Sequence, residues 1–170
     1  MADFIHLHNH SDYSLLEAAQ KVTTMVARCK ELGMDSIALT EHGNMFSAVH
    51  FHDTAKANGI KPIIGCEIYV ASGDRKDKTP SKEGEGSTYH HLVLLAKNFE
   101  GYKNLMKLTS LGFQEGFYYK PRVDKELLRK YNGGLIALSA CLKGEVAEKA
   151  WKHGYDDAVA AAKDLESIYP

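Results

Sequence analysis

The stretch "FIHLHNHSDYSLLE", Phe4 to Glu17, sets His6, His8 and His10 in alternation with Leu7 and Asn9 inside an apolar run. A strand built only to pack would carry valine or isoleucine at such positions. An affinity tag would not alternate with leucine. Alternate residues of a strand share a face, so His8 and His10 point to the same side if the chain stays extended. The stretch therefore reads as a first strand, Phe4–His8, that delivers imidazoles to a site at its end. His6 reads as a packing residue.

Working outward, short apolar runs alternate with amphipathic stretches. "TTMVARCKELG" reads as a helix with Thr23 as N-cap and Gly33 as its stop, because Met25, Val26, Cys29 and Leu32 fall on one helical face. Ser36–Thr40, "PIIGCEIYVA" (62–71), His91–Ala96 and Leu135–Ala140 read as further strands. Helices are predicted at Phe46–Asn58, Glu100–Leu111, Lys125–Tyr131, Gly144–His153 and Asp156–Ile168. This alternation predicts an α/β fold with a parallel sheet, open or closed into a barrel. A barrel needs more strands than these five, so the sequence reads as one cut short. Residues 72–88, "SGDRKDKTPSKEGEGST", are polar and Gly-rich and read as a mobile loop between strands.

Composition narrows the class. The 170 residues are 44% hydrophobic and 25% charged, the measure of one ordinary globular domain. A net charge of -1, from 21 basic and 22 acidic residues, argues against a domain that grips nucleic acid unaided. The three cysteines, Cys29, Cys66 and Cys141, are odd in number and none sits in a CxxC pair, which favours a reducing compartment. No signal peptide or membrane span is legible. A cytoplasmic protein is expected.

Each predicted strand carries a histidine, glutamate or cysteine in or beside it. In parallel α/β sheets reactive groups gather where strands end. His8 and His10 close the first strand; Glu41 and His42, in "TEHGN", close the second. Glu67 is a charge inside an apolar third strand, His90 and His91 open the fourth, and Cys141 follows the fifth. His50 and His52 lie in a predicted helix and read as surface residues. Imidazole, carboxylate and thiolate together suit zinc and tolerate manganese or iron. So many donors exceed one tetrahedral ion and imply a cluster of two or three. Such clusters clamp phosphate oxygens and generate hydroxide, so metal-dependent phosphoester hydrolysis is the predicted chemistry.

The blocks "HLHNHSDYSLLE", "LTEHGNMFSAVHFHDTAKANGIKPIIGCEIYVA", "HHLVLLAKNFEGYKNLMKLTSLG", "EGFYYKPRVDKELL" and "GLIALSACLKGEV" resemble the N-terminal PHP (polymerase and histidinol phosphatase) domain of bacterial DNA polymerase III alpha subunits. The resemblance implies a distorted (β/α)7 barrel with a metal cluster at the strand ends. It implies His8, His10, Glu17, His42, Glu67, His91 and Cys141 as ligands, with His8, His10, His42 and Glu67 as the hydrolytic centre and His90 as a bystander. Glu17-Ala18 and Glu41 stand where the family usually has Asp-Gly and Asp, so ligation is altered there or one metal is lost. The family's last motif, an Asp-x-His pair, has no match in this sequence, and partial metal binding is expected.

The implied function is that of a domain in a replicative polymerase catalytic subunit, acting on DNA as a 3′-5′ exonuclease. Its implied partners are the other polymerase domains and a proofreading subunit, with no membrane. Two alternatives stand beside it: a catalytically silent metal-binding module that supports the polymerase, and a free-standing phosphatase of the histidinol phosphatase kind.

Overall fold

A computed structural model of the chain describes residues 4–80 and 88–170. Its first helix, α1 (Val22–Glu31), is N-capped by Lys21 rather than by Thr23, and it ends as expected before Gly33, which takes φ +70. Val22, Met25, Val26 and Cys29 fall at helical spacing and are buried against Ile37 and Leu39 of β1 (Ser36–His42) and Phe51 and Ala55 of α2 (Ala48–Ala57). The α2 crossover brings β2 (Lys61–Ala71) alongside β1 in parallel.

The sheet then departs from the expected parallel arrangement. β3 (Tyr89–Ala96) runs antiparallel to β2, as shown by its register from Gly65↔Leu95 to Ala71↔Tyr89. After α3 (Phe99–Gln114), whose N-cap Asn98 accepts from the Gly101 amide at 2.9 Å, comes a hairpin absent from the sequence reading. Its strands are β4 (Phe117–Tyr118) and β5 (Lys120–Val123). They are too short for a periodicity signal. α4 (Lys125–Lys130), β6 (Leu135–Leu138), α5 (Glu145–Lys152) and α6 (Tyr155–Ile168) complete the chain. Among the described residues the result is a six-stranded mixed sheet in the order β4-β5-β2-β3-β6, with β1 also paired to β2.

The expected first strand, Phe4–His8, is not a strand. His6 and Asn9 carbonyls accept from the Ala38 and Thr40 amides, so three residues of this segment span two of β1. That mismatch breaks a regular ladder, and the Asn9 side chain fills the gap by donating to the His6 and Ala38 carbonyls. The segment nevertheless lies along β1.

Alternation across the sheet sorts the strand residues into two faces. Cys66, Ile68, Val70, Leu92 and Leu94 face Leu105 and Leu108 of α3, Leu128 of α4 and Ile168 of α6, forming the main core. The opposite face carries the register row His42, Glu67, Val93 and Leu138 across four strands. Within the expected loop 72–88, Arg75 is buried and hydrogen-bonds Glu115 and Asp124. Residues 81–87 lie outside the described residues. Among the described residues no helix is long and apolar enough to cross a membrane.

Candidate metal centre

Glu67 is the hub. It is 1% exposed, in the middle of an otherwise apolar strand. Its Oε2 lies 2.6 Å from His8 Nε2, 3.0 Å from His10 Nε2 and 3.5 Å from His42 Nδ1. Its Oε1 lies 2.5 Å from His91 Nδ1 and 3.8 Å from Cys141 Sγ. Glu17 joins at the rim, with Oε2 2.9 Å from His42 Nε2 and Oε1 3.1 Å from Lys120 Nζ. The structure thus brings together His8, His10, Glu17, His42, Glu67, His91 and Cys141.

Each side chain arrives for a local reason. His42 and Glu67 are register partners in the parallel β1–β2 pair, and His91 is two residues from the Val93 that faces Glu67. Gly43 allows β1 to stop there: it takes φ +64, its amide donates to the Glu67 carbonyl, and a Cβ would lie 2.8 Å from both Pro121 and Tyr69. The His10 and His42 rings stack at 4.0 Å. Tyr69 and Tyr89 wall His91 at 5.2 and 6.0 Å.

Burial alone would raise the Glu67 carboxyl, but hydrogen bonds from His10, His8 and His91 and the charge of His42 hold it far below the usual carboxylate range. Burial, with repulsion from His10, lowers His42 despite Glu67 and Glu17. Burial also opposes ionisation of Glu17, yet Lys120 and His42 together leave its carboxyl low. Glu67 is therefore an anionic centre ringed by imidazoles.

This donor set fits divalent metal ions. His8, His10 and Glu67 form one group, and His42, Glu67 and His91 another, with the ligand atoms of each group within 4.8 Å of one another. His10 Nδ1 is buried without a hydrogen-bond partner among the described residues. Imidazole nitrogen, carboxylate oxygen and a nearby thiol are ligands for borderline cations such as zinc, manganese or iron.

Other expectations resolve differently. Glu41 does not reach the cluster. It points to the opposite side of β1 from His42 and is 1% exposed. There it accepts from Ser11 N and Oγ, Ser14 Oγ and, at 2.9 Å, Ser47 Oγ. The family's acidic position before the second-motif histidine is thus a structural anchor here, which draws the N-terminal segment onto β1 and α2. His90 also faces away from the cluster, with Nδ1 3.4 Å from Glu148 and Nε2 3.3 Å from Ser72. His50 and His52 are exposed on α2, and His6 is exposed against Phe4.

Sequence reasoning missed Lys120, Tyr69 and the serine ring of Glu41. Ser11 and Ser14 stood in plain view beside His10, but a hydroxyl carries no signal of its carboxylate partner until the fold supplies one.

Comparison with known proteins places these residues in a lineage. The chain is 52% identical over 145 residues to DNA polymerase III subunit alpha of Aquifex aeolicus, covering 84% of this chain and 12% of that protein. It is 53% identical over 143 residues to the Treponema pallidum protein of the same name, with 84% and 12% covered. The Helicobacter pylori J99 protein of that name is 46% identical over 176 residues, with 98% and 14% covered. The chain thus spans about an eighth of the length of these curated relatives. A solved amidohydrolase from Chromobacterium violaceum aligns with TM-score 0.43 and 16% identity over 94% of this chain and 54% of that one, a likeness too slight to bear on function. The family model of the PHP domain matches residues 6–170, a span that contains every member of the Glu67 cluster, and the chain belongs to the PHP domain family.

Proposed function

We propose that this cluster holds two or three divalent metal ions and that the domain hydrolyses phosphodiesters, as a 3′-5′ exonuclease within the catalytic subunit of a bacterial replicative DNA polymerase. The observation that carries the reading is Glu67, a buried carboxylate whose two oxygens are shared between two groups of potential ligands. His8 and His10 with Glu67, and His42 and His91 with Glu67, would hold the ions, with Glu17 and Cys141 completing the set. Divalent metal bound there supplies Lewis acidity toward phosphate and a hydroxide at neutral pH. Glu67 contributes fixed negative charge, and the imidazoles orient it from both sides. DNA is the substrate on this reading, and the relatives at 46–53% identity support it. The other polymerase domains and a proofreading subunit are the partners, in the cytoplasm, and the mixed sheet is part of a distorted (β/α)7 barrel.

The test is metal analysis of a longer chain that also carries the family's Asp-x-His motif, paired with degradation of a single-stranded 3′ end. The 170 residues alone are expected to bind metal more weakly and to show no robust nuclease activity. From the longer chain, bound zinc or manganese and 3′-terminal cleavage are expected, with both abolished by His8→Ala plus His10→Ala. Absence of metal under saturating zinc or manganese would sink the reading.

A second reading is a silent metal-binding module that supports the polymerase. It is favoured by Glu41, whose commitment to three serines removes one carboxylate from the cluster. Bound metal with a raised melting temperature and no nuclease activity is its signature. Turnover of histidinol phosphate would instead indicate a free-standing phosphatase.

A further inference from the structure

Lys120 reaches the cluster by the same backbone device as two of its assigned members. Among the described residues, the non-glycine positions with positive φ are Leu16 (71), Tyr119 (57) and Ala140 (62). Leu16 precedes Glu17, Ala140 precedes Cys141, and Tyr119 precedes Lys120. Residues with a Cβ disfavour this region, and it persists where the surrounding structure enforces it, commonly at functional sites. Three separate turns share little except that each hands the next side chain to one place.

The lysine itself is closely held. Tyr118 faces Lys120 across the β4–β5 hairpin. Lys120 Nζ sits 3.1 Å from Glu17 and 5.2 Å above the Tyr69 ring, and its side chain is 35% exposed. Among the described residues it is the one lysine or arginine ion-paired with a member of the cluster. Two buried arginines brace its hairpin: Arg122 donates to the Gly116, Arg75 and Asp77 carbonyls, while Arg75 pairs with Glu115 and Asp124.

We propose that Lys120 is the phosphate-contacting cation of this site, set at the rim of the cluster to take a non-bridging oxygen of a phosphodiester. An ammonium has three N–H donors. Glu17 engages one of them at 3.1 Å and the Tyr69 ring lies beneath the ammonium, leaving donors for a ligand oxygen. Phosphodiester cleavage builds negative charge on those oxygens, and a prepositioned cation stabilises it without reorganisation. Glu17 and Tyr69 position the lysine; the lysine meets the substrate.

The inference rests on the hydrolytic reading above, and its test separates the two. Using the full chain, Mn²⁺ binding is measured alone, and inorganic phosphate binding is measured by calorimetry in saturating Mn²⁺. Lys120→Ala is expected to weaken phosphate about tenfold or more while Mn²⁺ affinity stays within about threefold. Lys120→Arg, which keeps the charge, is expected to retain phosphate binding within about threefold. Unchanged phosphate affinity in Lys120→Ala would overturn the proposal. A matching loss of Mn²⁺ affinity would also overturn it, since Lys120 would then act only as a prop for Glu17. If the unsubstituted chain binds no Mn²⁺, the hydrolytic reading falls first and this inference falls with it.

Discussion

His42 and Glu67 face each other as register partners in the parallel β1–β2 pair, with His42 Nδ1 3.5 Å from Glu67 Oε2. Two strands that are 25 residues apart in sequence at these positions thereby offer an imidazole and a carboxylate from one row of the sheet. Rigid backbone pairing, not loop placement, fixes the centre of the cluster.

Glu67→Gln keeps the shape of that side chain and removes its charge. The imidazoles of His8, His10 and His91 would then surround a neutral amide, whose NH2 group cannot accept from them. The expected result is a fall in Zn²⁺ or Mn²⁺ affinity of at least about 100-fold, read by calorimetry, with the fold retained by circular dichroism. Affinity within a few-fold of the parent would show that Glu67 is not a ligand.

Glu41 predicts the opposite pattern. Its carboxylate is the common acceptor for Ser11, Ser14 and Ser47, and Glu41→Ala leaves those buried donors without it. Loss of several hydrogen bonds to a charged acceptor is expected to cost about 2–4 kcal/mol in urea unfolding. Metal affinity per folded molecule should stay near the parent value. A large metal defect with little loss of stability would return Glu41 to the metal centre.

Much of this site was legible because chemistry-bearing residues interrupt apolar strands. Glu67 in "GCEIYV" and His91 in "YHHLVLL" break the packing pattern, and such breaks mark function more plainly than any packing residue does. Alternation also gave the elements α1, α2, β1 and β2 nearly to their ends. The sense of β3 was not legible, because a polar connection of that length can return or cross, and nothing in its residues chooses. Phe4–His8 had the pattern of a strand, but its three-for-two match against β1 is a tertiary fact. The roles of Glu41 and Lys120 depend on partners 27 and 103 residues away in sequence, distances over which local patterns are silent.

Gly43 is where the end of β1 meets the hairpin. A Cβ there would stand 2.8 Å from both the Pro121 and Tyr69 side chains, at a φ of +64 that alanine resists. Gly43→Ala is expected to destabilise the fold by about 1–3 kcal/mol and to push Tyr69 and Pro121 away from His42. Thermal unfolding reads the first effect, and weakened metal affinity reads the second. Parent-like values for both would mean the turn relaxes without disturbing the site.

Asp124 sets a pH dependence remote from the metal centre. Burial works to raise its carboxyl, but the Leu127 amide it caps and the Arg75 guanidinium at 2.8 Å outweigh burial and hold it below the ordinary value. A carboxylate depressed on folding adds stability that is fully present above its unfolded value, about 3.9, and is lost as pH falls through the lower folded value. Asp124→Asn can still cap α4 but cannot pair with Arg75, which keeps Glu115. It is expected to cost about 1.5–3 kcal/mol at neutral pH. Its stability should also fall less steeply than the parent's below about pH 4, so the two unfolding curves converge in acid. Parallel curves from pH 7 to pH 3 would show that the Arg75–Asp124 pair carries none of the acid sensitivity.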